Sequence, residues 1–215
     1  MAAIEAFHQH SIDNPDAFWA DEAMLIDWHK PFLKTLDFSR PPFAKWFVGG
    51  ETNLCYNAVD RHAAKRPNDR AMVFISTETD TEIVYSFAQL KAEVMRMAAI
   101  MQSLGVGKGD RVLIYMPMIP EATFAMLACA RIGAIHSVVF GGFASGSLAT
   151  RIDDATPTLI VSSDAGMRGG KAVPYKHLLD DAIALAKQKP ANVLMFDRGL
   201  DKGFADVEGR DDAYD

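Results

Sequence analysis

The spacing of apolar positions changes along the chain, and the changes mark out its elements. Leu90, Val94, Met97 and Met101 recur at three- and four-residue intervals, which places them on one face of a helix. Ser86 followed by Gln89 is a capping-box signature at the start of that helix, and Gly105 stands where its stop is expected. Upstream, Met72-Val73-Phe74-Ile75 and Ile83-Val84-Tyr85 are short β-rich runs across a polar turn, the pattern of a hairpin. Downstream the two periods alternate. Val112–Tyr115, Ile135–Phe140, Leu159–Val161 and Val193–Phe196 read as strands, and Glu121–Arg131, Ser145–Asp154 and Tyr175–Lys187 as helices, with Pro120 suited to a first turn. Strands recurring every ~25–35 residues with helices between them predict an α/β fold: βαβ units with a mainly parallel sheet and right-handed crossovers.

The first fifty residues follow another pattern. Asn14-Pro15 opens a predicted helix with Phe18, Met24, Leu25 and Trp28 on its buried face, ended by Pro31. Phe38–Gly50, rich in Pro, Phe and Trp, is expected to pack as an extended arm with Trp46 as a packing anchor. A further helix is expected over Tyr56–Arg66 with Val59 and Ala63 inward. After Arg198 the chain turns polar, no further element is predicted, and the sheet lacks an evident closing strand, as in a chain that continues into a larger architecture.

Composition narrows the classes. The 215 residues are 49% hydrophobic, enough for a sizeable core. A formal net charge of -6 argues against a general nucleic-acid binder while leaving room for a local anion pocket. The two cysteines, Cys55 and Cys129, have no partner at metal-ligand spacing and read as reduced core residues, so a cytoplasmic location is expected. No secretory signal or membrane-length apolar run is apparent, and no membrane partner is expected.

Candidate chemistry concentrates in two stretches. Arg168-Gly169-Gly170-Lys171 lies beyond the strand at 159–161, where open α/β sheets bind ligands. Two cations around bare backbone suit a phosphorylated ligand, and the same four residues suit a solvated turn. Phe140-Gly141-Gly142-Phe143-Ala144-Ser145-Gly146 follows a strand and opens a helix, where N–H groups can face phosphates. With Asp164 some way on, this keeps a dinucleotide-binding alternative open, although the glycine spacing departs from Gly-x-Gly-x-x-Gly. Gly105-Val106-Gly107-Lys108-Gly109 precedes a strand and reads as a helix stop with a turn. The histidines form no ligand pair, and His136 reads as a hydrogen-bonded core residue. No nucleophile elbow and no metal-binding set is present.

Longer words carry a resemblance. Tyr115-Met116-Pro117-Met118-Ile119-Pro120-Glu121-Ala122 and the run from Leu127 to Phe143 resemble the short-chain, AMP-forming acyl-CoA synthetases, an acid–thiol ligase family. Asn57–His62 and Trp46–Gly50 extend the similarity toward the N-terminus, so that it covers nearly the whole chain. The resemblance implies a cap over residues 1–60 and the start of the adenylate-forming large domain over 61–215, truncated. Ser39–Phe43, Thr52–Cys55 and Ala165–Lys171 resemble the propionate-activating branch, with acetate as the alternative acid.

Such enzymes adenylate a carboxylate with ATP, accompanied by Mg2+, and pass the acyl group to coenzyme A. The resemblance implies that Arg168 and Lys171 hold coenzyme A phosphates, with Gly169 and Gly170 between them. Phe140, Gly141 and Gly142 are implied on one side of the adenine, and Val173 and Pro174 on the other. Lys at position 171, where related ligases often carry Arg, keeps the charge and loses the bidentate fork. No Ser/Thr/Gly-rich loop ending in Lys-Gly is present to hold ATP phosphates. No catalytic residue is therefore expected in this chain, and no cofactor is expected to bind it tightly alone. The missing partners are the remainder of the large domain and a C-terminal domain.

Overall fold

The computed structural model describes residues 2–141 and 144–214, so Gly142 and Phe143 of the expected binding loop lie outside the described residues. The chain divides into two compact units, Met1–Asn57 and Ala58–Asp215.

In the first unit, helix α1 (Ala2–Asp13) is followed by α2 (Pro15–Glu22). Asn14 caps α2 by accepting a hydrogen bond from the Ala17 N–H at 3.4 Å, and Pro15 takes the first helical position. The helix gives way to a 3-10 turn at Ala23–Leu25, well before Pro31. Phe18 is therefore buried as expected, whereas Met24 and Leu25 are 78% and 68% exposed, because the α-helical register that would have aligned them with Phe18 has ended. The expected extended arm is an antiparallel hairpin of β1 (Lys34–Arg40) and β2 (Phe43–Val48). Trp46 packs edge-on against Trp19, ring centroids 5.9 Å apart. α1 was not anticipated.

The helix expected over 56–66 consists of a π-helical turn, Tyr56–Asp60, and α3 (Arg61–Lys65). β3 (Arg70–Ser76) and β4 (Thr81–Ser86) form the anticipated hairpin, and α4 (Phe87–Ser103) starts in a complete Ser86/Gln89 capping box. There follow β5 (Arg111–Tyr115), α5 (Pro120–Ile132), β6 (Ile135–Val138), α6 (Ser145–Ala155) and β7 (Leu159–Ser163). Then come β8 (Gly166–Arg168), β9 (Lys171–Val173), α7 (Tyr175–Leu185), β10 (Asn192–Phe196) and β11 (Asp211–Ala213).

Five strands form one parallel sheet in the order β11-β10-β7-β5-β6. Side chains alternate across its faces. Leu113, Ile160 and Val193 join Leu148 and Ile152 of α6 and Leu179 and Ile183 of α7 in one core. Their neighbours Val112, Ile114, Val161 and Leu194 point the other way and are also fully buried, so the central strands are covered on both faces. Cys129 of α5 is buried, and that burial pushes its thiol up to about 12.

Three expectations are corrected. The strand beginning at Ile135 ends at Val138, and β6 is an edge strand, so His136 is exposed instead of sitting in the core. The polar tail returns as β11 and extends the sheet beside β10. Its polar sequence hid it, because β11 is held largely by charge. Asp211 is a fully buried side chain that accepts from Arg210 Nε at 2.5 Å and from the buried Lys176 Nζ at 3.0 Å. Asp180 of α7 closes the network, 2.6 Å from Lys176 and 2.5 Å from Arg210.

Burial pushes the Asp211 carboxyl up, but hydrogen bonds from Arg210, the Val207 N–H and Lys176 outweigh it and hold the group below its ordinary 3.8. A carboxylate with a lowered folded-state pKa contributes stability that is present above the unfolded value and lost as the pH falls through the folded one. Asp211→Ala should cost about 3–5 kcal/mol in denaturant unfolding near neutral pH, the scale of a broken buried pair. It should also flatten the loss of stability on acidification below the ordinary aspartate value. A variant as acid-sensitive as the parent would show that the network does not titrate with folding.

Candidate functional site

The carboxyl ends of β5, β6, β7 and β10 share one edge of the sheet, and the loops leaving them surround a cleft of about 800 Å³. Each wall has a local cause. After β5, Met116, Pro117, Met118 and Ile119 run to the Pro120 start of α5. After β6, Val139 is held by its N–H to the Ile114 carbonyl at 2.9 Å, and Phe140 follows, 67% exposed. After β7 the chain folds into the β8–β9 hairpin, which brings Met167, Arg168 and Val173 to the cleft. After β10 comes Arg198, and the segment from Phe74 to Glu78 completes the ring.

Tyr175, the first residue of α7, forms the floor and explains two glycines. A Cβ at Gly141 would lie 1.8 Å from the Tyr175 hydroxyl oxygen, and one at Gly166 would lie 2.9 Å from its ring. Only residues without a side chain fit against this phenol. Tyr175 stacks on Tyr115 with ring centroids 4.9 Å apart. Burial raises both phenols, Tyr115 to about 12; at Tyr175 the nearby Arg198 and Arg168 oppose the rise and Glu78 adds to it.

Gly169 and Gly170 are the two turn residues of the hairpin, with φ of 57° and 75°. Two successive positive φ values match the tight turn favoured by the twist of paired strands. Arg168 and Lys171 flank this turn as directly opposed partners. Opposed residues share one face of a hairpin, so two positive charges stand side by side. Among the described residues neither makes an ion pair or a side-chain hydrogen bond.

Gly169 and Gly170 shape the turn that presents the cations, and they, Lys171 and Pro174 sit exposed at the hairpin side of the cleft. Phe140, Gly141, Arg168 and Val173 do line it. The dinucleotide alternative is corrected. Asp164 is fully buried, and its carboxylate accepts from the N–H groups of Arg198 at 3.0 Å, Leu200 at 2.8 Å and Asp201 at 3.1 Å. It holds the turn after β10 and is not available to a ribose. The sequence reading overlooked Tyr175 and Arg198. Arg198 could have been sought, because a cation just beyond a parallel strand lies at the ligand edge of such a sheet. Among the described residues no three His, Cys, Asp or Glu side chains gather as a metal site, and no helix is long and apolar enough to cross a membrane.

An α/β unit with a cationic cleft at the carboxyl edge of a parallel sheet places the chain among the open-sheet α/β proteins, whose ligands bind at that edge. The chain belongs to the AMP-binding enzyme family, whose sequence pattern matches residues 59–211, and residues 4–58 match the acetyl-coenzyme A synthetase N-terminus. It is 63% identical over 209 residues to the propionate–CoA ligase of Salmonella typhimurium, covering 97% of this chain and 33% of that protein. The Escherichia coli propionate–CoA ligase is 60% identical over the same shares. The mitochondrial acyl-CoA synthetase short-chain family member 3 of Rattus norvegicus is 44% identical over 94% of this chain and 30% of its own length. Acetoacetyl-CoA synthetase from Streptomyces lividans has the same fold, with a TM-score of 0.83 at 28% identity over 95% of this chain and 31% of that one. The chain thus spans about a third of the length of the curated relatives it matches.

Gly141→Ala should destabilise the isolated chain by about 1–3 kcal/mol, the cost of overpacking, because the phenol beneath it cannot retreat from Tyr115. Gly146→Ala, in α6 with open space around it, should be neutral or stabilising by about 0.5–1 kcal/mol. Thermal unfolding of both variants checks the contrast, and equal effects would show that Tyr175 does not crowd the loop.

Proposed function

We propose that this chain is part of an AMP-forming acid–thiol ligase that converts ATP, propionate and coenzyme A to propionyl-CoA, AMP and diphosphate. The cleft then carries part of the coenzyme A site. The observation that carries this reading is the opposed Arg168–Lys171 pair on the hairpin tip. Like charges facing each other across paired strands are destabilising, and an anion between them removes the repulsion. The 3′-phosphate of coenzyme A is such an anion. Phe140 and the bare backbone of Gly141 offer one face for the adenine beside it, and Val173 and Pro174 the other; Gly142 belongs to the same proposal. Propionate is preferred over acetate because the two bacterial relatives above, at 63% and 60% identity, are propionate–CoA ligases.

The chemistry itself lies elsewhere in this reading. Holding the ATP phosphates and Mg2+ and completing adenylation fall to the parts of the ligase that this chain does not span. The role of the present residues is to bind and orient the thiol substrate. A cytoplasmic location goes with the reading, supported by two buried cysteines that form no disulfide.

The isolated chain, mixed with ATP, propionate and Mg2+, should release no pyrophosphate, and measurable turnover would refute the division of labour. In the full-length ligase, Arg168→Ala should weaken use of coenzyme A by ~1–3 kcal/mol, the scale of a lost charged hydrogen bond. The loss should fall on thioester formation. A loss of equal size in propionate-dependent pyrophosphate exchange would overturn the coenzyme A assignment.

A further inference from the structure

The cleft holds a cation that the reading above leaves without a task. Arg198 follows β10 and lines the same cleft as Arg168, its guanidinium beside Ala165 at the base of the β8–β9 hairpin. Its position is closely determined. Asp164 accepts its backbone N–H at 3.0 Å and also binds the next turn through Leu200 and Asp201. One guanidinium nitrogen, Nη1, donates to the Ala165 carbonyl at 2.9 Å. Among the described residues that is its only side-chain hydrogen bond, and it makes no ion pair. The side chain is half-buried. A guanidinium offers five N–H donors in a rigid fork, so most of this fork is still unspent.

Electrostatics agree with the geometry. The Tyr175 phenol on the floor is acted on by both Arg198 and Arg168, so the two guanidinium groups bear on one stretch of the cleft. Glu121 lies close enough to be influenced by Arg198 yet is not within ion-pair distance. A partly desolvated cation, its backbone N–H held by the Asp164 carboxylate and its guanidinium by the Ala165 carbonyl, and without a counterion among the described residues, is arranged to meet an anion brought by a ligand.

Resting on the coenzyme A reading above, we infer that Arg198 is a further binding residue that contacts the 5′-diphosphate of coenzyme A. Coenzyme A carries two separate anionic groups, a 3′-phosphate and a 5′-diphosphate. The exposed Arg168–Lys171 pair at the hairpin tip takes the first. The half-buried, pre-positioned Arg198 takes the second, and so orients the arm that leads to the thiol. Preorganisation matters here because the guanidinium loses little freedom when the ligand arrives.

The test uses the full-length ligase, kcat/KM for three thiol substrates and two variants. Arg198→Ala should lose about tenfold or more with coenzyme A and equally with 3′-dephospho-coenzyme A, because both carry the diphosphate. The loss should shrink to less than about twofold with pantetheine, which has no phosphate. Arg198→Lys, which keeps the charge, should recover part of the loss with the two nucleotides. Arg168→Ala should show its penalty with coenzyme A and not with 3′-dephospho-coenzyme A. If Arg198→Ala is as damaging with pantetheine as with coenzyme A, the residue only supports the fold and the inference fails. If its penalty disappears with 3′-dephospho-coenzyme A, the diphosphate assignment fails. If Arg168→Ala shows no dependence on the 3′-phosphate, the underlying coenzyme A reading fails instead.

Discussion

The cleft depends on a single buried carboxylate. Asp164 sits at the end of the central strand β7 with no exposed surface, and its oxygens accept three backbone N–H groups from the turn after β10. A buried carboxylate without partners is prohibitive, and one that collects several N–H donors is stable and rigid. The same residue's N–H donates to the Phe196 carbonyl, and its carbonyl accepts from the Lys176 N–H at the start of α7. One aspartate thereby connects three of the segments that frame the site: the end of β7, the exit from β10 and the entry to the helix that carries Tyr175.

Rigidity at that point explains how short hydrophobic strands can support a cleft whose groups come from distant parts of the sequence. Parallel strands buried on both faces fix where each chain segment emerges, and the emerging loops are then held by specific polar contacts. The Lys176, Asp180, Arg210 and Asp211 network does the same on a larger scale. It binds α7 to the last strand through charges that are themselves out of water. Such a network adds little net stability over an apolar core, but it tolerates few alternative arrangements, and here it fixes the helix whose first residue is the cleft floor.

Cations gather at the same edge of this frame. Arg168 and Arg198 line the cleft, with Lys171 beside it, and none of the three has a counterion among the described residues. The aromatic and glycine surfaces beside them are flat and unobstructed because Tyr175 leaves no room for a Cβ at Gly141. Cationic edge and bare backbone together suit a nucleotide more closely than any acid–base or metal chemistry.

Much of the architecture was legible from residue order. The alternation of periods placed the parallel strands, the Ser86/Gln89 pair marked the start of α4, and Gly105 marked its end, because these signals are local and the energies behind them act over a few residues. The long matching words around residues 115–143 identified the family, and Arg168 and Phe140, singled out by residue order, line the cleft. Other features could not be read locally. β11 is a polar segment stabilised by ion pairs to a helix some thirty residues away; Met24 and Leu25 lost their expected burial when α2 stopped early; and His136 became exposed when its strand proved to be an edge. Asp164 looked like a ribose ligand by spacing and proved to be a structural carboxylate. Residue order by itself determined which segments become strands and helices and where cations meet glycines. Only tertiary packing decided which of those cations share a cleft, because charge pairing and burial are set by neighbours that the chain brings together from far along its length.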